Sequence, residues 1–218
     1  MSVAAGSQEE PRLVDRVVAV VDDDPILLSD LERALGLGVV ERRSGESDAA
    51  LRRRALDWIL DSRLRLHELE RFGFDDAPIA EIDRGYAEIR SRFESEGKFR
   101  EELDRLGLDD DKLRQLIARQ IAILIYVEER LGPRVFVSVD DIRRHFDEEL
   151  VPELTRRGQP APAIEDVREE IRVVLRERRL NEEIDRWTAS LRHAADVEDF
   201  LDSPRRPLPP VLPSVKPR

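Results

Sequence analysis

Cysteine is absent from this 218-residue chain, which excludes disulfides, thiolate catalysis and any metal site built on sulfur. Lysine is nearly absent too: of 37 basic residues all but Lys98, Lys112 and Lys216 are arginine, a planar and weakly hydrated cation suited to bidentate carboxylate pairs. No apolar run approaches the roughly 18 residues that a bilayer span requires, so a membrane-embedded protein is not expected. Residues 1–10 have neither a basic n-region nor an apolar h-region, so no secretory signal is present as written. Ser2-Val3-Ala4-Ala5 nevertheless has the small residues that end a cleaved signal. A concentrated basic face is also missing. The net charge is −11, with 48 acidic against 37 basic side chains, which argues against nucleic acid as a partner.

Catalytic patterns are equally scarce. His67, His145 and His193 are far apart, with no HxxxH or HExxH spacing, and each reads as a helix-surface or boundary residue. Asp22-Asp23-Asp24 and Asp109-Asp110-Asp111 lack the Gly and downstream Glu of a calcium loop, and turn or cap roles account for both. Gly36-Leu37-Gly38 has no third glycine and no Lys-Ser/Thr, so it stops a helix rather than cradling a phosphate. There is no G-x-S-x-G, and among 48 carboxylates no pair can be assigned acid/base work. No enzyme, metal or cofactor is expected.

What remains is a helical protein. Hydrophobic residues make up 40% and charged residues 39%, enough for a core beneath heavily charged helix surfaces. A chain of this length folds as one large domain or two small ones and buries roughly 70% of its unfolded surface. Apolar residues at three- and four-residue spacing predict helices over 29–35, 48–72, 79–95, 98–106, 109–131, 138–150 and 165–195. The run Ile121 to Val127 is apolar all round and reads as the middle of a central helix. The breaks fall at Gly36-Leu37-Gly38, Gly73, Gly97, Gly107 and Gly132-Pro133. Pro152, Gly158, Pro160 and Pro162 mark a linker, and Glu182–Arg186 is a candidate i,i+4 pair on the last helix.

The most distinctive stretch is 13–30, LVDRVVAVVDDDPILLSD. A β-branched run, an Asp/Pro turn, a second short apolar run and a Ser29–Glu32 capping box predict strand, turn, strand and helix start. On Val14-Asp15, Val17, Ala19-Val20-Val21, Asp22, Ile26 to Leu28 and Ser29-Asp30-Leu31 it resembles the opening of the SurA family of periplasmic chaperones. The resemblance runs to about Phe146 and resumes from Glu165 to near Phe200. It implies a mostly α fold, a SurA/trigger-factor-like helical chaperone core. A small β-sheet would form from the N-terminal hairpin and a strand at 196–200. It further implies that parvulin prolyl-isomerase domains belong between Phe146 and Glu165. Only the 18 residues Asp147 to Ile164 stand there, so the isomerase has no room. The expected organisation is a disordered lead-in (1–12), an N-terminal core segment (13–151) and a linker at the place of the missing domain (152–164). A closing helix and strand (165–202) and a Pro-rich disordered tail (203–218) follow.

The implied activity is that of an ATP-independent periplasmic holdase for unfolded outer-membrane protein precursors, with a homodimer left open. Trp58, Phe72, Tyr86, Phe93, Phe99, Tyr126 and Trp187 are the candidates for an apolar client groove; their helical spacing suits core packing as well. The rival expectations are a helical adaptor gripping one folded partner along 165–195 and, further off, a prolyl isomerase.

Overall fold

The computed structural model describes residues 15–73 and 77–203. The lead-in 1–12, Leu13-Val14, residues 74–76 after the break at Gly73, and the tail beyond Ser203 lie outside the described residues. The fold is mostly α with a small three-stranded antiparallel sheet. Strand β1 (Val17–Val21) lies between β2 (Asp24–Leu27) and β3 (Val197–Asp199), so the first and last elements of the described residues meet in one sheet. Val18 and Ala19, adjacent in sequence, are both fully buried because the β1–β2 register slips between Val17 and Ala19; a bulge turns two successive side chains to the same side. Pro25 is tolerated because β2 is an edge strand, where a missing N–H breaks no inner ladder.

The Asp triplet has structural partners. Asp22 takes a left-handed backbone, φ 54°. Its N–H donates to the Asp196 carbonyl at 2.7 Å and its carboxylate accepts from the Asp196 N–H at 3.0 Å. Asp24 meets Arg63 at 3.1 Å and His67 Nε2 at 3.2 Å, both from the second helix.

The helices follow as α1 (Leu28–Gly36), α2 (Asp48–Phe72), α3 (Ile79–Ser91), α4 (Glu96–Arg105) and α5 (Asp110–Leu131). After a turn at Gly132–Arg134 come α6 (Val139–His145), a π turn (Phe146–Leu150), α7 (Val151–Arg156) and α8 (Ile164–Ala194). Side-chain caps set several starts. Ser47 accepts from the Ala50 N–H, Asp109 accepts from the Lys112 N–H, and Ser138 exchanges bonds with Asp141 in a capping box.

Five local expectations need correction. Ser29 does not cap α1; the helix starts at Leu28, Asp30 accepts from the Leu27 N–H at 3.1 Å, and the Ser29 N–H goes to Asp15 at 3.3 Å. Helix α3 stops at Ser91, and Gly97 lies inside the first turn of α4, whose cap is Ser95. Pro152 lies inside a helix rather than in the linker, because the wide π turn directly before it absorbs its ring and missing N–H. Arg186 pairs with Glu183 at 2.6 Å rather than with the Glu182 carboxylate. The apolar spacing Val167, Ile171, Val174, Leu180 puts Val174 on the inner side of the last helix, whereas Leu175 is the buried residue and Val174 is 46% exposed.

Four apolar clusters hold these elements. The sheet packs on α1 and α2 through Val18, Ile26, Leu31, Leu56 and Leu60, with Leu191 of α8 closing over them. Phe99, Leu103, Leu113 and Ile117 join α3, α4 and α5. Ile123, Val127 and Leu131 of α5 meet Leu180, Ile184 and Trp187 of α8. Ile142 of α6 sits on Ile171 and Leu175. Helix α8 thus spans three of the four clusters. A polar seam binds it to α2: Arg65 Nε donates to Thr188 Oγ1 at 2.9 Å, and Arg192 Nε to Asp61 at 2.5 Å.

Candidate functional site

Helices α1, α2, α3 and α5 enclose a groove of about 430 Å³. Its floor is aliphatic: Leu37 after α1, Leu66 of α2, Ile89 of α3, and Leu116, Ile117 and Ile121 of α5, with Trp58 along one wall. The groove exists partly because Gly85 lets α3 come close to α5, where a Cβ would stand 2.8 Å from Ile117 Cγ2. At its lip Leu124 is 64% exposed, a large apolar side chain held in water. Val39, Trp58 and Arg92 are shared with a shallower, polar basin of about 690 Å³ between the 38–43 segment and α2.

Arginines rim the groove. Arg33 pairs with Asp30 at 3.0 Å, Arg63 with Asp24, and Arg92 with Glu88 at 3.0 Å. Arg92 also donates to the carbonyls of Leu37 (3.2 Å) and Gly38 (2.9 Å), fixing its charge where the two basins join. Above α5, Arg119 is exposed and has no ion pair among the described residues.

A third concavity of about 570 Å³ lies between α7 and α8, lined by Leu150, Leu154, Pro160, Pro162, Val167 and Ile171 among others. Val174 also lines it, and it is 46% exposed; Phe136, Val139 and Val173 are exposed by 50–74%.

The seven aromatic candidates do not converge. Trp58 lines the groove. Tyr86, Phe93 and Phe99 form a cluster in the α3–α5 core, with ring centroids 5.4–5.7 Å apart. Phe99 is fully buried, and Tyr86 donates its hydroxyl to Asp110. Burial first, and then that bond, raises the Tyr86 pKa. Tyr126 is 7% exposed and stacks on Trp187 at 5.8 Å in the α5–α8 seam. Phe72 is 58% exposed at the end of α2, under the Arg130 guanidinium. Phe99 and Tyr126 are therefore core residues, and of the seven only Trp58 lines the groove. The residues that sequence reasoning missed are aliphatic, mostly on α5; the all-round apolar run 121–127 signals Ile121 and Leu124, and the others show only the periodicity of core residues.

Among the described residues no group of three His, Asp or Glu side chains stands ready to hold a metal ion. No helix among them is long and apolar enough to cross a membrane.

No family model matches the chain. The chain is 27% identical over 148 residues to Chaperone SurA of Chromohalobacter salexigens, an alignment covering 64% of this chain and 33% of that protein. It is 28% identical over 156 residues to Chaperone SurA of Alkalilimnicola ehrlichii, covering 67% and 36%. Against Chaperone SurA of Alcanivorax borkumensis it is 28% identical over 156 residues, covering 69% and 35%. The chain spans about a third of the length of these curated relatives. Together with the N-terminal hairpin motif, these matches support a SurA-like relationship for this chain.

Proposed function

We propose that the protein is an ATP-independent periplasmic holdase that shields unfolded envelope proteins, outer-membrane β-barrel precursors above all. The observation that carries this reading is the open groove: an aliphatic floor with an exposed Leu124 at its lip, in a chain similar to proteins named as chaperones. Burying one Leu- or Phe-sized side chain contributes about 1.5–3 kcal/mol. Two or three such side chains, less the ordering cost of an extended segment, give the weak and reversible grip that a holdase needs. The net charge of −11 keeps the protein soluble while the groove stands open. The helices close onto one another across the 157–163 loop, and the reading takes this chain as a chaperone core without a parvulin domain.

The test is light scattering of a denatured outer-membrane β-barrel protein diluted into nucleotide-free buffer with stoichiometric amounts of this protein. Suppressed aggregation, weakened by Leu124→Glu, is the expected result. Unchanged aggregation alongside a native helical spectrum removes the holdase reading. A second reading, an adaptor for one folded partner, is favoured by the exposed Phe136, Val139, Val173 and Val174 around α6 and α8. It requires one saturable complex and no affinity for unfolded chains.

A further inference from the structure

We infer that the groove selects apolar segments flanked by carboxylates and discriminates against segments with basic flanks; this rests on the groove being a polypeptide site. The observation is a local inversion of charge. The whole chain has 48 acidic against 37 basic side chains. The groove and its adjoining basin are lined instead by seven arginines (33, 42, 43, 54, 63, 92 and 119) and five carboxylates.

Those carboxylates are engaged from several sides. Asp57 and Asp61 are both bound by Arg192, which reaches across from α8 and lines neither concavity. Asp30 accepts from Arg33, and Glu88 pairs with Arg92. Only Glu41 has no ion pair among the described residues.

Arg42, Arg54 and Arg63 are matched in the same way by carboxylates outside the lining, Asp48, Glu46 and Asp24, so the charge left over lies on the remaining arginines. Arg43 and Arg119 are exposed and have no ion pair among the described residues. Arg92 is held by two carbonyls, which do not neutralise it, and by one exposed carboxylate, Glu88. A segment laid along the aliphatic floor therefore passes Arg119 at the α5 lip and reaches Arg92 and Arg43 toward the basin. Carboxylates beside its apolar centre meet guanidinium groups there, and lysines meet repulsion.

The chemistry also disfavours the chain's own residues 204–218 as occupant. They carry Arg205, Arg206, Lys216 and Arg218 and no acidic residue. Exposed pairs of this kind are individually weak and screened by salt, so their effect is selectivity more than affinity, about tenfold for two or three pairs.

The experiment uses the full chain and two fluorescent peptides with the same six-residue apolar centre, one flanked by Glu and one by Lys, read by anisotropy. The expected result is about tenfold tighter binding of the Glu-flanked peptide at low salt, a preference that shrinks as salt is raised. Arg119→Glu combined with Arg43→Gln should abolish it with little change in melting temperature, because neither side chain has a close ion pair to lose and Arg43 acts on Glu46 only through its charge and its retained backbone N–H. An unlabelled peptide copying residues 204–218 should not compete. Equal affinities at low salt, a preference untouched by the double variant, or displacement by the tail peptide would each overturn the inference while leaving the groove a polypeptide site. If neither peptide binds, the groove reading itself fails and takes the inference with it.

Discussion

Phe99 and Phe72 show how differently two phenylalanines at helical spacing can be used. Phe99 is fully buried between the rings of Tyr86 and Phe93, with the guanidiniums of Arg90 and Arg100 over it at 5.8 and 6.0 Å. Replacing it with alanine removes a ring from a closed core, which costs about 3–5 kcal/mol. Phe72→Ala removes a ring that is 58% exposed and should stay within about 0.5–1 kcal/mol of the parent. Urea unfolding of the two variants checks this; comparable losses would mean that Phe72 is covered in solution. The sequence could not separate the two, because i, i+3, i+4 spacing says only that a residue lies on an apolar face. What covers that face depends on residues far along the chain. The same limit hid the groove: Leu66, Leu116 and Ile117 have the periodicity of core residues, and only the packing angles of four helices leave a gap beside them. The Asp22 and Asp24 contacts escaped for a related reason, since their partners are 174 and about 40 positions away.

At the scale of elements, the α6–α8 pairing depends on carboxylates whose proton affinity has been lowered. Asp141 receives bonds from the Ser138 hydroxyl and N–H, and Arg179 adds its charge at 2.8 Å; together they hold its carboxyl well below the usual range. Glu149, across the π turn, is pulled down to about 2, first by Arg178 at 3.0 Å and then by His145. A depressed carboxyl contributes stability that is fully present above its unfolded value and is lost as pH falls through its folded one. For Glu149 that window runs from about 4.5 down to about 2. Both partners of the Arg178–Glu149 pair are about half exposed, so the effect is local opening of this hairpin rather than global unfolding. Carboxyl NMR titration should place Glu149 near pH 2 in the parent and return it toward the ordinary range in Arg178→Gln. Amides of Val139–His145 should be the first to lose protection on acidification. A Glu149 midpoint near 4.5 in the parent would show the pair to be unformed. Capping at Ser138 was legible from sequence because cap and box lie within four residues. The π turn that carries the helix past Pro152 was not, because proline by itself signals a break and the compensating turn has no residue signature.

For the whole molecule, the decisive feature is that residues 164–203 complete the core that residues 15–146 begin. Strand β3 adds an edge to β1, with Val21 facing Val197 and Ala19 facing Asp199. Leu191 and Leu201 pack on the sheet cluster, while Ile184 and Trp187 cover Ile123, Val127 and Leu131. Arg53 holds Asp199 and Asp202, and Arg192 holds Asp61. Removing 165–203 would therefore uncover three apolar clusters at once and leave Arg65, partly buried beside Thr188, without its hydroxyl partner. Each uncovered Leu, Ile or Trp forfeits about 1.5–3 kcal/mol, and a handful of them equals the entire 5–15 kcal/mol of a typical domain. A chain ending at residue 164 is accordingly expected to show no cooperative thermal transition by circular dichroism. A separate 165–203 peptide added in excess should restore helical signal and cooperativity, since it supplies the same surfaces without the connecting loop. If the shortened chain melts as sharply and as high as the parent, α1 to α7 form a self-sufficient unit. The long closing helix would then be free to serve a partner, which is the premise of the adaptor reading.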